Sequence, residues 1–171
     1  MSTNTIATAP AVEGCLESCR RALELLDHFE RAGGAYAAIG PHLRHCLDHV
    51  QCFLRGLESG TVEYDARERD ARLETDVACF RNAMTRAMDV LAGLDHDAMP
   101  RALQVVQVPA PAHEPMPVAS TVERELLFLS GHTIHHLAIV AYIARAQGIT
   151  VPEYLFIAYS TAAYHASLQN D

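Results

Sequence analysis

Apolar side chains recur along this chain at alternating spacings of three and four, the period of a helix with one buried face. Val12, Leu16, Cys19, Leu23 and Leu26 form such a stripe, predicting a first helix that runs to about Arg31 and ends at Gly33-Gly34. Gly40-Pro41 opens a second, since proline is well placed in a first turn. Its stripe is Leu43, Leu47, Val50, Leu54 and Leu57, and it stops at Gly60. After a charged connection, Thr61 to Asp70, the positions Leu73, Val77, Phe80, Met84, Met88 and Leu91 predict a third helix from about Ala71 to Leu94.

The pattern then changes. Asp95 to Ala119 contains five prolines and a short β-branched run, Leu103 to Val108, and reads as a long crossover with one strand-like piece. Ser120 is a good N-cap and Glu123 completes a capping box, predicting a fourth helix to about Gln147 with Gly148 as its C-cap and Pro152 beyond. This helix is apolar on nearly every side, as a central helix is. The Tyr- and Ala-rich tail from Glu153 to Asp171 is expected to cap one end. Three helices, a crossover and a fourth helix predict an all-α chain, a four-helix bundle with non-simple connectivity. Residues 1–10, polar and small, read as a disordered N-terminal segment, and 11–171 as a single domain.

At 171 residues, half of them apolar, the chain can bury a core without staples, so a metal is not needed for structure. A net charge of −8 argues against a nucleic-acid partner. All 13 basic side chains are arginine, which excludes Schiff-base chemistry and a P-loop lysine. The first ten residues lack a secretory signal, and no continuous 18-residue apolar run suggests a membrane span; a cytoplasmic protein is expected. Five cysteines without a C-x-x-C pair are expected as free thiols. Cys15 and Cys19 share a helix face but suit buried packing better than metal binding, and nothing lowers the pKa of Cys46 to make it a nucleophile.

Six of the ten histidines fall in two short stretches, His42-Leu-Arg-His45-Cys-Leu-Asp-His49 and His132-Thr-Ile-His135-His136. His132 and His136 lie on neighbouring turns of one face, a metal-ligand spacing, and a third imidazole from the second helix would leave an ion with open positions. At about 100° per residue, the polar arc of the second helix is Arg44, Asp48, Gln51, Arg55 and Glu58. His42 and His49 face the opposite way and His45 sits at the border, so angle alone selects His49 or His42 as the third ligand. Glu125 shares the His132 face but lies roughly 10 Å along the axis, which suits orienting a ligand through a hydrogen bond or a plain capping-turn carboxylate. His135 points about 60° away and is a pocket or packing residue.

The run Ile39-Gly-Pro-His-Leu-Arg-His-Cys-Leu-Asp-His, the His-x-x-His-His of the fourth helix and Val62-Glu-Tyr-Asp-Ala-Arg-Glu-Arg-Asp70 resemble the DinB/YfiT-like metalloenzymes over most of the chain. The resemblance implies an up-down-down-up four-helix bundle, often a homodimer, holding Ni²⁺, Zn²⁺ or a similar ion such as Fe²⁺. By position its three ligands are His45, His132 and His136, with His49 as the substitute for His45. It further implies thiol-dependent transfer or isomerisation with a low-molecular-weight thiol; a related domain supplies iron ligands in sulfoxide synthases. The chain departs from the pattern where His136 runs into Leu137-Ala138-Ile139 instead of Arg-Gly-Gln, and where Ala158-Tyr-Ser-Thr161 lacks a proline, so the polar surroundings of its site differ.

Three imidazoles leave a divalent ion its full charge, so activated water would mean hydrolysis and activated thiol transfer. Tyr64, Asp65 and Arg67, in the connection after the second helix, are candidates to bind an anionic substrate. The expected function is a metal-dependent enzyme acting on a small molecule, an S-transferase or a hydrolase, without an assignable catalytic residue. The alternative is a non-catalytic metal- or ligand-binding stress-response protein whose site is closed by His42 or His49.

Overall fold

In the computed structural model, residues 8–168 are described, and they are mostly helical with a small three-stranded sheet. Helix α1 spans Pro10–Arg31 and α2 Gly40–Ser59, each with proline in its first turn. Gly33 and Gly60, at φ of 84° and 79°, take the left-handed conformation that stops each helix where its stripe ends. Residues 1–7 of the expected disordered segment lie outside the described residues. Ala9 is buried and Pro10 is helical, so the packed structure begins before residue 11.

The expected third helix is two. Helix α3, Arg72–Thr75, and helix α4, Val77–Ala92, are separated by Asp76, whose backbone is extended and whose carboxylate accepts from the Cys79 N–H at 3.0 Å. A residue that satisfies an orphan donor of the following turn is more stable as a cap than inside a continuous helix.

The mostly helical chain agrees in the main with the all-α expectation, to which the structure adds a small three-stranded sheet. Strand β1, Thr61–Glu63, pairs parallel with β2, Ala102–Gln107, and β2 pairs antiparallel with β3, Met116–Thr121. Thus the charged connection starts as a strand, and the crossover is a hairpin whose β2 matches the β-branched run. Pro117 is tolerated because β3 lies at the edge.

Helix α5, Val122–Ala146, is capped by Thr121, not Ser120: the Thr121 Oγ1 accepts from the Arg124 N–H at 3.2 Å. Ser120 is held in the β2–β3 ladder opposite Leu103, and the Val122 and Glu123 N–H groups donate to the Arg101 and Met99 carbonyls. Gly148, at φ 76°, follows the C-terminus. Helix α5 is the one described helix long and apolar enough to cross a membrane by length and composition. Here it packs on α1 and α2 and buries Leu126, Leu129, Leu137 and Val140 in the shared core, which also receives Phe29, Phe53 and Phe80. The tail forms α6, Tyr159–Leu168, docked on α1 through the Tyr159 hydroxyl, which donates to the Gly14 carbonyl at 3.0 Å.

Candidate metal centre

Helix α2 carries His42, His45 and His49 on one side, and α5 brings His132 and His136 against them. The imidazole centroids of His45 lie 5.0 Å from His132 and 4.5 Å from His136, and those of His132 and His136 are 4.7 Å apart. One nitrogen from each of these three rings lies within 4.8 Å of the other two, so the His45, His132 and His136 cluster can hold a metal ion. His45 was at the border of the buried arc. It joins the cluster where α2 packs against α5.

Burial pushes the three rings down from the ordinary histidine range. His45 falls to about 3, with the neighbouring His49, His136 and His132 adding to the effect. His132 falls to about 3 from burial and then His49, and His136 to about 4 from burial and then His42. At neutral pH all three are uncharged and keep the lone pair that ligation requires. The donor set itself fits an ion: His132 Nε2 is buried without a hydrogen-bond partner, a condition that native interiors avoid.

The other histidines surround this triad. His49 is buried, donates from Nδ1 to the His45 carbonyl at 2.9 Å, and packs its ring 4.3 Å from that of His132. His42 Nδ1 stands within hydrogen-bond distance of His136 Nδ1, at 3.2 Å. His135 is exposed and meets only the edge of His136 within the group.

Glu125 lies in the first turn of α5, as a capping-turn carboxylate would, and accepts no hydrogen bond from a histidine. It is buried, accepting from the Tyr64 hydroxyl at 2.7 Å and from the Ser120 hydroxyl at 2.5 Å. Its influence on the cluster passes through Tyr64, whose ring stacks on His49 at 5.3 Å. Phe128 stacks on His132 at 5.5 Å and was not anticipated, although it lies one turn before that histidine on the same helix face. Tyr64 and Phe128 also line a cleft of about 170 Å³ with Ser120, Arg124 and Glu125.

Of the expected anion binders, Tyr64 is thus committed to Glu125, and Asp65 accepts from the Val108 N–H at 2.9 Å. Arg67 donates from Nη1 to the Tyr64 carbonyl at 2.7 Å. All five cysteines are free thiols. Cys46 is fully enclosed and burial pushes its thiol well above the ordinary range, which removes it as a nucleophile. No family model, no curated protein and no solved structure matches this chain.

Proposed function

We propose that this chain is a DinB-like metal-dependent enzyme that acts on a small molecule, either as a thiol-dependent S-transferase or as a hydrolase. In this reading α1, α2, α4 and α5 are an up-down-down-up four-helix bundle, and His45, His132 and His136 hold Ni²⁺, Zn²⁺ or Fe²⁺ in a cytoplasmic homodimer. The observation that carries it is the convergence of three neutral imidazoles from two helices, one of them with a buried, unpartnered nitrogen. A bound divalent ion would supply Lewis acidity, bringing the pKa of a water or thiol towards neutrality.

The chain's own residues prepare that chemistry. Three neutral ligands leave the ion's charge uncompensated. Phe128 and Tyr64 cover His132 and His49 from one side and restrict water there. The Nδ1 donation of His49 to the His45 carbonyl fixes its tautomer, leaving Nε2 as an acceptor.

The same His49 favours a second reading. Its ring lies as close to His132 as any other in the cluster, so a fourth protein ligand would close the site and make the protein a metal-binding module. Elemental analysis of protein purified without chelators tests both. About one equivalent of metal is expected, lost in His45→Ala and His132→Ala and retained in His49→Ala. Loss in His49→Ala as well, with four protein ligands and no exchangeable water by X-ray absorption of the cobalt form, would favour the module. A wild type that neither contains nor takes up Zn²⁺, Ni²⁺ or Fe²⁺ would end both.

A further inference from the structure

Helix α5 is long and apolar enough to cross a membrane, yet only 44% of its most apolar stretch is buried. What stays outside is not scattered. Leu127, Gly131, His135, Ala138 and Tyr142 are exposed and recur at spacings of three and four, with Arg124 and Arg145 at the ends of the row. At about 100° per residue these positions fall within one arc of about 80°. Leu127 is 59% and Tyr142 75% exposed, and no Asp, Glu or Arg interrupts the face between its ends. A contiguous apolar face of this kind marks an interaction surface.

Gly131 shows that the face is shaped for close approach. Glycine in a helix interior is less favourable than alanine, and a methyl group at Gly131 would meet nothing within 4 Å. Nothing inside the chain therefore requires glycine there. A second backbone arriving from outside does require it, and Ala138 is the other small residue of the row.

The row is also symmetric. Leu127 and Tyr142, Gly131 and Ala138, and Arg124 and Arg145 are each centred on the point between Ile134 and His135. An interface with a two-fold axis sets residue i against j and j against i, so an antiparallel pair of such helices matches Leu127 with Tyr142 and Gly131 with Ala138 twice over. The charges agree with that direction. Glu123 and Arg145 are exposed at opposite ends of α5 and have no ion pair among the described residues. Antiparallel packing brings Glu123 of one copy beside Arg145 of the other, whereas parallel packing sets like charges together. Arg124, which comes to the same ends, already has Glu125 at 3.6 Å.

We propose that this face of α5 binds a second copy of the chain, α5 antiparallel to α5 about a two-fold axis at His135. The proposal deepens the homodimer of the reading above by giving its interface, and its argument uses no metal. A cavity of about 380 Å³ lined by Ala138, Tyr142, Arg145 and Phe156 continues the face past its C-terminal end, so the docking surface is wider than one helix.

The test is sedimentation equilibrium of the full chain, with metal content read in parallel. The wild type is expected to be a dimer. Tyr142→Glu should raise its dissociation constant about a hundredfold, since each dimer carries the change twice. Gly131→Leu, which the space within one chain admits, should be a monomer with unchanged helical circular dichroism. A short bismaleimide should link Leu127→Cys chains to Tyr142→Cys chains in a mixture and leave either variant alone at the wild-type background, because like positions would stand roughly 22 Å apart along the axis. Linkage within either variant alone, a dimer indifferent to Gly131→Leu, or a monomeric wild type would overturn the proposal. A monomer that cosediments with phosphatidylcholine vesicles would overturn it in favour of a lipid surface. Metal retained by a monomeric wild type would leave the metal reading standing, and a dimer that takes up no metal would end that reading and keep the interface.

Discussion

Tyr64 shows how one side chain supports several others at once. Its hydroxyl donates to a buried carboxylate, its ring stacks on His49, and its carbonyl receives Arg67. Burial raises its pKa far above the ordinary tyrosine range, with the Glu125 charge next, so it remains a donor at any working pH. Tyr64→Phe keeps the ring and removes the donor, leaving Glu125 with Ser120 as its close partner. Such a loss at a buried acceptor costs about 1–3 kcal/mol. Urea denaturation should show that decrease with metal content unchanged; an unaltered midpoint would mean that water replaces the hydroxyl. The placement of Glu125 on the His132 face was legible from helical spacing. Its partners were not, because Tyr64 and Ser120 come from segments 61 and 5 residues away whose strands bring them there.

The first turn of α2 depends on the shortness of α3. A methyl group on Gly40 would stand 2.1 Å from the Glu74 carbonyl oxygen, which is backbone and cannot swing aside. Gly40→Ala must therefore push α3 off α2, straining the Arg44–Glu74 ion pair at 2.6 Å that joins them. The expected effect is a destabilisation of about 1–3 kcal/mol, read as a lowered thermal midpoint, and weaker metal retention because His42 and His45 follow directly. A variant as stable as wild type would show that α3 is free to move. The break at Asp76 that makes α3 short has a local signal, an acid before a helix, but an unbroken apolar period across it hid the cap. Strands β1 and β3 had still less to announce them. Three residues cannot display a period, and a proline-containing edge strand exists only because β2 pairs with it.

For the molecule as a whole, the buried neutral histidines tie stability to pH. Their folded pKa values, about 3 for His45 and His132 and about 4 for His136, lie below the ordinary 6.5, so between these limits the unfolded chain binds more protons than the folded one. Stability from this source is present above pH 6.5 and is lost as pH falls towards 3. Chelated protein should melt progressively lower across that window, and His132→Leu should flatten the slope; a slope unchanged by the substitution would assign it to other groups. The sequence by itself determined the long helices, since a one-dimensional period and its glycine and proline stops act within a few residues. It also supplied the donor types, histidines spaced to share a face, and the absence of lysine. Only the tertiary structure decided which second-helix histidine joins His132 and His136, that Glu125 serves Tyr64, and that Arg67 donates to the Tyr64 carbonyl. Those outcomes depend on where two helices cross and which strands pair, and such contacts join residues that local spacing cannot relate.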